Sequence, residues 1–279
     1  MIPGQPSRTM LRTASLRAAH QLLDRPTVFT DPVAVELVSE AVAKPLLESL
    51  GADQVAVRAL LAVRSRFAED RLASAAARGV AQYVMIGGGL DTFPWRQPPY
   101  AAAMHVFLAD HPDTLEWTQA HFRGHGLTNP ENLTALPVDL EACRLGERLC
   151  EFGFEPHSPA FCSALGLTQY VSHTAIDSMF RFVASLRPGS EIVFSFVPPV
   201  DELTREDVQL AMRADERVAA FGEPWKTRLR PRDVMPQLRS LGFSDVFHLT
   251  REAAHARYFA GRQDGLKPAG YEQVICGVV

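Results

Sequence analysis

QYVMIGGGLDTFPWR, residues Gln82 to Arg96, is a short apolar run that breaks into three glycines and then an acid. Tyr83 to Ile86 show no polar alternation, the pattern of a strand covered on both faces in a parallel sheet. Gly87, Gly88 and Gly89 remove every Cβ at the strand's carboxyl end, so the chain can turn tightly and a ligand can approach main-chain atoms closely. The same glycines also suit a purely structural turn, and glycine-rich motifs do match by chance.

Working outward, the next apolar segment, Val106 to Ala109, ends in Asp110, twenty-one residues beyond Gly89. An acid at that distance on a second strand is placed to accept hydrogen bonds from ribose hydroxyls. Leu133 to Val138 ends at Asp139-Leu140, and Ala160 to Leu165 ends at Gly166. The spacings leave room for right-handed helical crossovers, which bring these strand ends to one edge of a sheet and one crevice. Glu191 to Val197, Val246 to Leu249 and Gln273 to Val278 read as further strands.

The glycines are not the dinucleotide fingerprint, since Thr92 stands where GxGxxG needs its last glycine, and no GK[ST] follows for a phosphate loop. An acid directly after the turn suits a ligand with a cationic or polar end. This favours S-adenosylmethionine over NAD or ATP.

GGGLDTFPWR resembles the GxGLDTxxxR signature of the leucine carboxyl methyltransferase-like family, in particular its bacterial branch of predicted S-adenosylmethionine-dependent O-methyltransferases, some of which act on polyketides. Further segments fall in the family's order: Ser7-Arg8-Thr9, Arg17 to His20, Asp31 to Ala34, Arg64 to Phe67, Asp110-His111-Pro112, Val138 to Leu140, Leu165 to Tyr170, Gly222 to Trp225 and Gly261 to Leu266. The resemblance implies a Rossmann-like class I methyltransferase fold of the α/β class, with a mostly parallel seven-stranded sheet. It also implies a helical extension over residues 1–80, a cofactor-binding core over 81–279 and an inserted helical lid at about 199–232.

By the same resemblance Arg64 meets the methionine carboxylate, Gly87, Gly88 and Gly89 lie against the cofactor, Asp110 holds the ribose, and Asp139 with Leu140 frames the adenine. Arginine suits a carboxylate through its planar fork, although most helix arginines are simply solvated. The chain departs from the family at Leu108 and Thr118, where an acid and a lysine are usual, and at Leu165, Ser195 and Phe196, where acids and a tyrosine are common. These losses are expected to thin the polar surroundings of the pocket.

Composition supports one enzyme-sized unit: 279 residues, 47% hydrophobic and 22% charged. Net charge is -4 and no basic run marks a nucleic-acid or anionic-membrane face. No stretch approaches about 20 apolar residues and the amino terminus lacks a signal core, so a cytoplasmic location is expected. Cys143, Cys150, Cys162 and Cys276 lack CxxC spacing, so reduced, partly buried thiols are expected. His121 and His125 are four apart, but Gly124 and Gly126 argue for a loop, and no metal site is expected. Helices are expected over 9–24, 31–50 and 54–78, the last stopped by Gly79, and after Ser172 with a buried stripe from Ile176 to Leu186.

A sulfonium methyl is already activated, so catalysis by alignment suffices for an ionised carboxylate, whereas a phenol benefits from a base. No acid/base pair or nucleophile triad falls at the crevice. Tyr170, just past the fourth strand, is the candidate for hydrogen-bonding the acceptor, and a packed tyrosine at a helix entrance reads equally well. The expected function is an S-adenosylmethionine-dependent O-methyltransferase of a small-molecule carboxylate or hydroxyl compound. The alternative is a methyltransferase-like fold repurposed for a non-methyl reaction, such as a cyclisation, or for small-molecule binding.

Overall fold

Strand β1 (Gln82–Ile86) is buried at every position, because both faces of its sheet are covered. In a computed structural model that describes residues 7–38 and 52–279, it is followed by β2 (His105–Asp110), β3 (Leu133–Pro137), β4 (Ala160–Ala164), β5 (Glu191–Phe196), β6 (Asp245–Leu249) and β7 (Gln273–Val278). They form one seven-stranded sheet in the order β3-β2-β1-β4-β5-β7-β6. β1 to β5 run parallel, while β7 is antiparallel to β5 and β6. This is the mostly parallel, Rossmann-like α/β sheet expected from the sequence.

The order reverses at β1, which lies between β2 and β4. Connections leave such a switch point in opposite directions and open a crevice at the strands' carboxyl ends. Side chains alternate along each strand, so Tyr83 and Met85 enter one core layer and Val84 and Ile86 the other. All four are at most 3% exposed, which is why the run lacks polar alternation.

Helix α1 (Arg8–Leu23), α2 (Pro32–Glu36) and α3 (Ala52–Ala77) precede the sheet. Of the helix expected over 31–50, the structure shows Pro32–Glu36 with Asp31 as its cap; residues 39–51 lie outside the described residues. α3 is weakly amphipathic because it is covered on two sides. Phe67 and Leu72 pack on the sheet, and Val57, Leu60 and Leu61 pack with Leu16 of α1 and Ala211 and Ala214 of a later helix. It stops where Gly79 takes φ 91° and Val80 N–H reaches back to the Ala75 carbonyl at 3.1 Å.

Along the rest of the chain come α4 (Phe93–Arg96), α5 (Pro112–Gly124), α6 (Leu145–Glu151), α7 (His173–Ala184), α8 (Arg205–Ala220), α9 (Pro231–Leu241) and α10 (Arg251–Tyr258). Ser172 caps α7 by accepting the Ala175 amide, and Ile176, Met179, Phe180, Val183 and Leu186 are buried in the second core layer. α8 is charged outward, and its Ala211, Ala214 and Val218 are buried.

The segment after α1 is pinned by buried charge. His20 Nε2 accepts the amides of Val28 and Phe29 at 3.0 and 3.2 Å, and its Nδ1 lies 2.7 Å from Asp24. Arg58 of α3 forks onto both Asp24 oxygens at 2.7 Å. Burial opposes the Asp24 carboxylate, but the hydrogen bonds from Arg58 and then His20 prevail and hold its pKa at about 2. A lowered folded-state pKa gives stability above the unfolded value near 4 that is lost as pH falls through about 2. Asp24→Asn is therefore expected to cost about 3 kcal/mol at neutral pH. Urea unfolding should show the gap to wild type closing as pH falls from 4 toward 2.

Candidate active site

The switch point builds the site. β1 runs into Gly87 and Gly89, both at positive φ (67° and 54°), and the Gly87 N–H ties the turn to the Ala109 carbonyl of β2 at 2.7 Å. At Gly88 a Cβ would collide with Leu108 Cδ1. The absent side chain is therefore a packing requirement of the layer beneath the turn as well as a space for a ligand.

β2 delivers Asp110 to the same turn. Its Oδ2 accepts the Gly89 amide at 2.7 Å and its Oδ1 the His111 amide at 2.8 Å. Burial pushes this carboxyl up to about 6, and the two amides limit the rise. Each oxygen retains a lone pair for a further donor. β3 delivers Asp139 and Leu140, with Asp139 Oδ1 accepting the Glu141 amide at 2.9 Å.

Arg64, on the sheet-facing length of α3, is 8% exposed. Its Nη1 donates to Glu272 Oε1 at 2.5 Å, and its guanidinium lies so close over Gly166 that a Cβ there would stand 3.0 Å from Nη1. Tyr170 follows on a single turn of 3-10 helix, Thr168–Tyr170. Its hydroxyl accepts the Trp225 Nε1–H at 3.2 Å, which leaves its own proton to donate. Burial pushes that phenol up to about 12, so at neutral pH it is a donor and not a base.

Every residue singled out in the sequence, Arg64, Gly87, Gly88, Gly89, Asp110, Asp139, Leu140 and Tyr170, lines one cavity of about 690 Å³. Sequence reasoning missed four other residues on its wall. Arg17 of α1 is 7% exposed; its Nε lies 2.8 Å from Asp31 without a hydrogen-bond angle, and its Nη2 donates to the Leu90 carbonyl. His111 caps α5 through Nδ1. Glu223 accepts from Ser7 Oγ and the Arg8 and Thr9 amides at 2.8, 2.9 and 3.2 Å. Lys226 lies 3.6 Å from Glu141, and its amide donates to the Gln169 carbonyl at 2.7 Å. The only sequence signal for Arg17 and Glu223 was their place in family-like segments.

Most of the positions that depart from the family's polar pattern lie off the cavity wall. Leu108 is core beneath Gly88, Thr118 Oγ1 bonds back to the Leu115 carbonyl, and Phe196 is buried in the second core layer. Ser195 Oγ accepts the Gly166 amide at 2.6 Å. Of these positions Leu165 alone reaches the cavity wall.

Contrary to the loop expected from Gly124 and Gly126, α5 runs through His121 to Gly124, and the His121 and His125 rings lie 4.4 Å apart. Among the described residues no group of three or more His, Cys, Asp or Glu is arranged to hold a metal. Cys143 and Cys150 are exposed rather than partly buried, whereas Cys162 and Cys276 are buried. No described helix is long and apolar enough to cross a membrane.

Sheet order, switch-point cavity and acid-bearing strand ends define the class of S-adenosylmethionine-dependent methyltransferases. The chain belongs to the leucine carboxyl methyltransferase family, which matches residues 10–184. A Bacillus subtilis protein named "Putative S-adenosyl-L-methionine-dependent methyltransferase YktD" is 27% identical over 297 residues, covering 95% of each chain. A Mycolicibacterium smegmatis protein with the same class name is 30% identical over 233 residues, 78% of this chain and 73% of its own. Two solved structures share the fold. A duf574 family protein from Streptomyces avermitilis has a TM-score of 0.59 at 14% identity, over 95% of this chain and 96% of that one. A Thermobifida fusca protein described as a "putative methyltransferase" has a TM-score of 0.58 at 15% identity, over 99% and 95%.

The packing under the turn makes a prediction. Gly88→Ala is expected to destabilise the protein by about 1–3 kcal/mol through overpacking. Leu108→Val, which removes the colliding Cδ1, is expected to recover most of that loss in the double variant. Thermal unfolding of the single and double variants checks this, and a Gly88→Ala protein as stable as wild type would contradict it.

Proposed function

We propose that the protein methylates an oxygen of a small-molecule carboxylate or hydroxyl compound, with S-adenosyl-L-methionine as donor. The observation that carries this reading is the convergence of Arg64, the glycine turn, Asp110 and Asp139 on one cavity. The donor set fits the cofactor. The Arg64 fork suits a carboxylate, Asp110 has lone pairs free for ribose hydroxyls, the turn has no Cβ at its strand end, and about 690 Å³ is an ordinary size for a ligand pocket. When bound, S-adenosyl-L-methionine supplies a methyl group already activated by its sulfonium.

The chain's own work is then to orient and to exclude water. α1 and the segment around Glu223 contribute to the cavity wall, which supports a helical extension over 1–80 and a lid at about 199–232. Tyr170 donates its phenol proton to the acceptor. A phenol held near 12 does not remove a proton at neutral pH, which favours an acceptor oxygen that is already ionised. A carboxylate meets that condition. Polyketide acids and a peptide ending in leucine are both acceptors of this chemistry.

Calorimetry with S-adenosylhomocysteine tests the donor, and no binding at millimolar ligand by folded protein would overturn the reading. Asp110 sets the pH dependence. Because its carboxyl holds a proton up to about 6 and ribose hydroxyls favour the ionised form, affinity is expected to fall up to about tenfold per pH unit below 6 and to be flat above it. Asp110→Asn is expected to bind more weakly and to lose this dependence. Methyl transfer to a panel of carboxylic acids and phenols should then give a rate flat between pH 6 and 8 with the acids. Activity confined to phenols and rising toward their pKa would reverse the preference for a carboxylate.

A further inference from the structure

Arg64 is not free to choose its own position. Its long side chain reaches from α3 across the carboxyl end of the sheet and stops over Gly166, where one edge of the guanidinium is taken by Glu272 at 2.5 Å. Both side chains are at most 10% exposed. That is the only hydrogen bond the described residues give Arg64, so Nη2 and Nε remain available at the cavity wall. Gly166 is itself fixed by the Ser195 hydroxyl at 2.6 Å.

The origin of the carboxylate is informative. The fifth strand itself ends in Ser195 and Phe196, with no carboxylate to offer Arg64. β7 lies antiparallel beside β5, with Phe196 opposite Gln273. The two residues before that pair are Tyr271 and Glu272, both buried. A phenol and a carboxylate thus return to the same end of the sheet from the neighbouring strand.

We propose that Glu272 is a positioning residue for the donor: it holds the Nη1 edge of Arg64 so that the remaining edge meets the methionine carboxylate. This rests on the reading that Arg64 receives that carboxylate. The sign of the effect follows from the ligand's charge. The amino-acid end of the donor is a zwitterion, so repulsion of its carboxylate by Glu272 is offset by attraction of its ammonium. Orientation of the fork is what remains. Glutamine keeps an oxygen to accept from Nη1, whereas alanine does not.

The test compares S-adenosylhomocysteine with 5′-methylthioadenosine, which lacks the amino-acid end, by calorimetry on the full chain. Wild type is expected to prefer S-adenosylhomocysteine, and Arg64→Lys to reduce that preference. Glu272→Ala is expected to weaken S-adenosylhomocysteine about tenfold while leaving 5′-methylthioadenosine within about twofold, and Glu272→Gln to restore most of the loss. Should the alanine variant fail to fold, Glu272→Asp, which draws the carboxylate back by one methylene, is expected to show a smaller selective loss. Equal binding of the two ligands by wild type would overturn the Arg64 reading and this one with it. A wild-type preference that survives Glu272→Ala or Glu272→Asp, or a loss shared by both ligands, would overturn the role of Glu272 alone.

Discussion

Asp31 is the buried charge on which the site's architecture turns. It is wholly buried, yet it caps α2 through the Ala34 amide, accepts the Thr92 hydroxyl at 2.7 Å and pairs with Arg17 and Arg96 at 2.8 and 3.3 Å. Thr92 also accepts from Arg96 Nε at 2.9 Å, and Arg96 forks onto Glu69 of α3. The LDTFPWR half of the opening motif is thereby explained. Asp91 holds the Phe93 amide, Thr92 reaches α2, and Arg96 reaches α3. A buried carboxylate left without partners is costly, so this network locks the helices that precede the sheet against the glycine turn, and the cavity between them keeps its shape.

Much of the fold was legible because burial on both faces writes itself directly into sequence. Strands such as Tyr83 to Ile86 and Ile192 to Phe194 are runs of large apolar residues, and helix stops at Gly79 and caps at Ser172 follow from local chemistry. Strand order was less accessible, since a run of apolar residues does not say which neighbour it pairs with. The histidine pair was misread for a related reason. Gly124 and Gly126 are helix-ending residues, and the α-helix extends right up to them.

The candidate site was legible as positions but not as partners. Asp110 could be placed by its distance from a glycine turn and Asp139 by its place at the end of an apolar segment, because strand-end geometry is local. The pairs that hold the site are distant in the chain: Arg64 with Glu272 across 208 residues, and Ser7 with Glu223 across 216. A single sequence carries no signal for such pairings beyond the presence of both charges. Arg17 was overlooked because an arginine on an N-terminal helix reads as solvated until the fold buries it.

The same distinction bears on the missing family carboxylates. Judged by position alone, Leu108 and Ser195 remove two acids from the strand ends, which argues for a weakened cofactor site. Judged by contact, Leu108 is the surface on which Gly88 rests, and Ser195 secures the Gly166 turn beneath Arg64. A carboxylate at either place would need a buried partner among neighbours that are now mostly apolar side chains. Among the described residues, the carboxylate that does meet Arg64 comes from beside β7. At this end of the sheet the charge of one guanidinium is thus met from beside β7, while β5 contributes only the Ser195 hydroxyl that fixes Gly166.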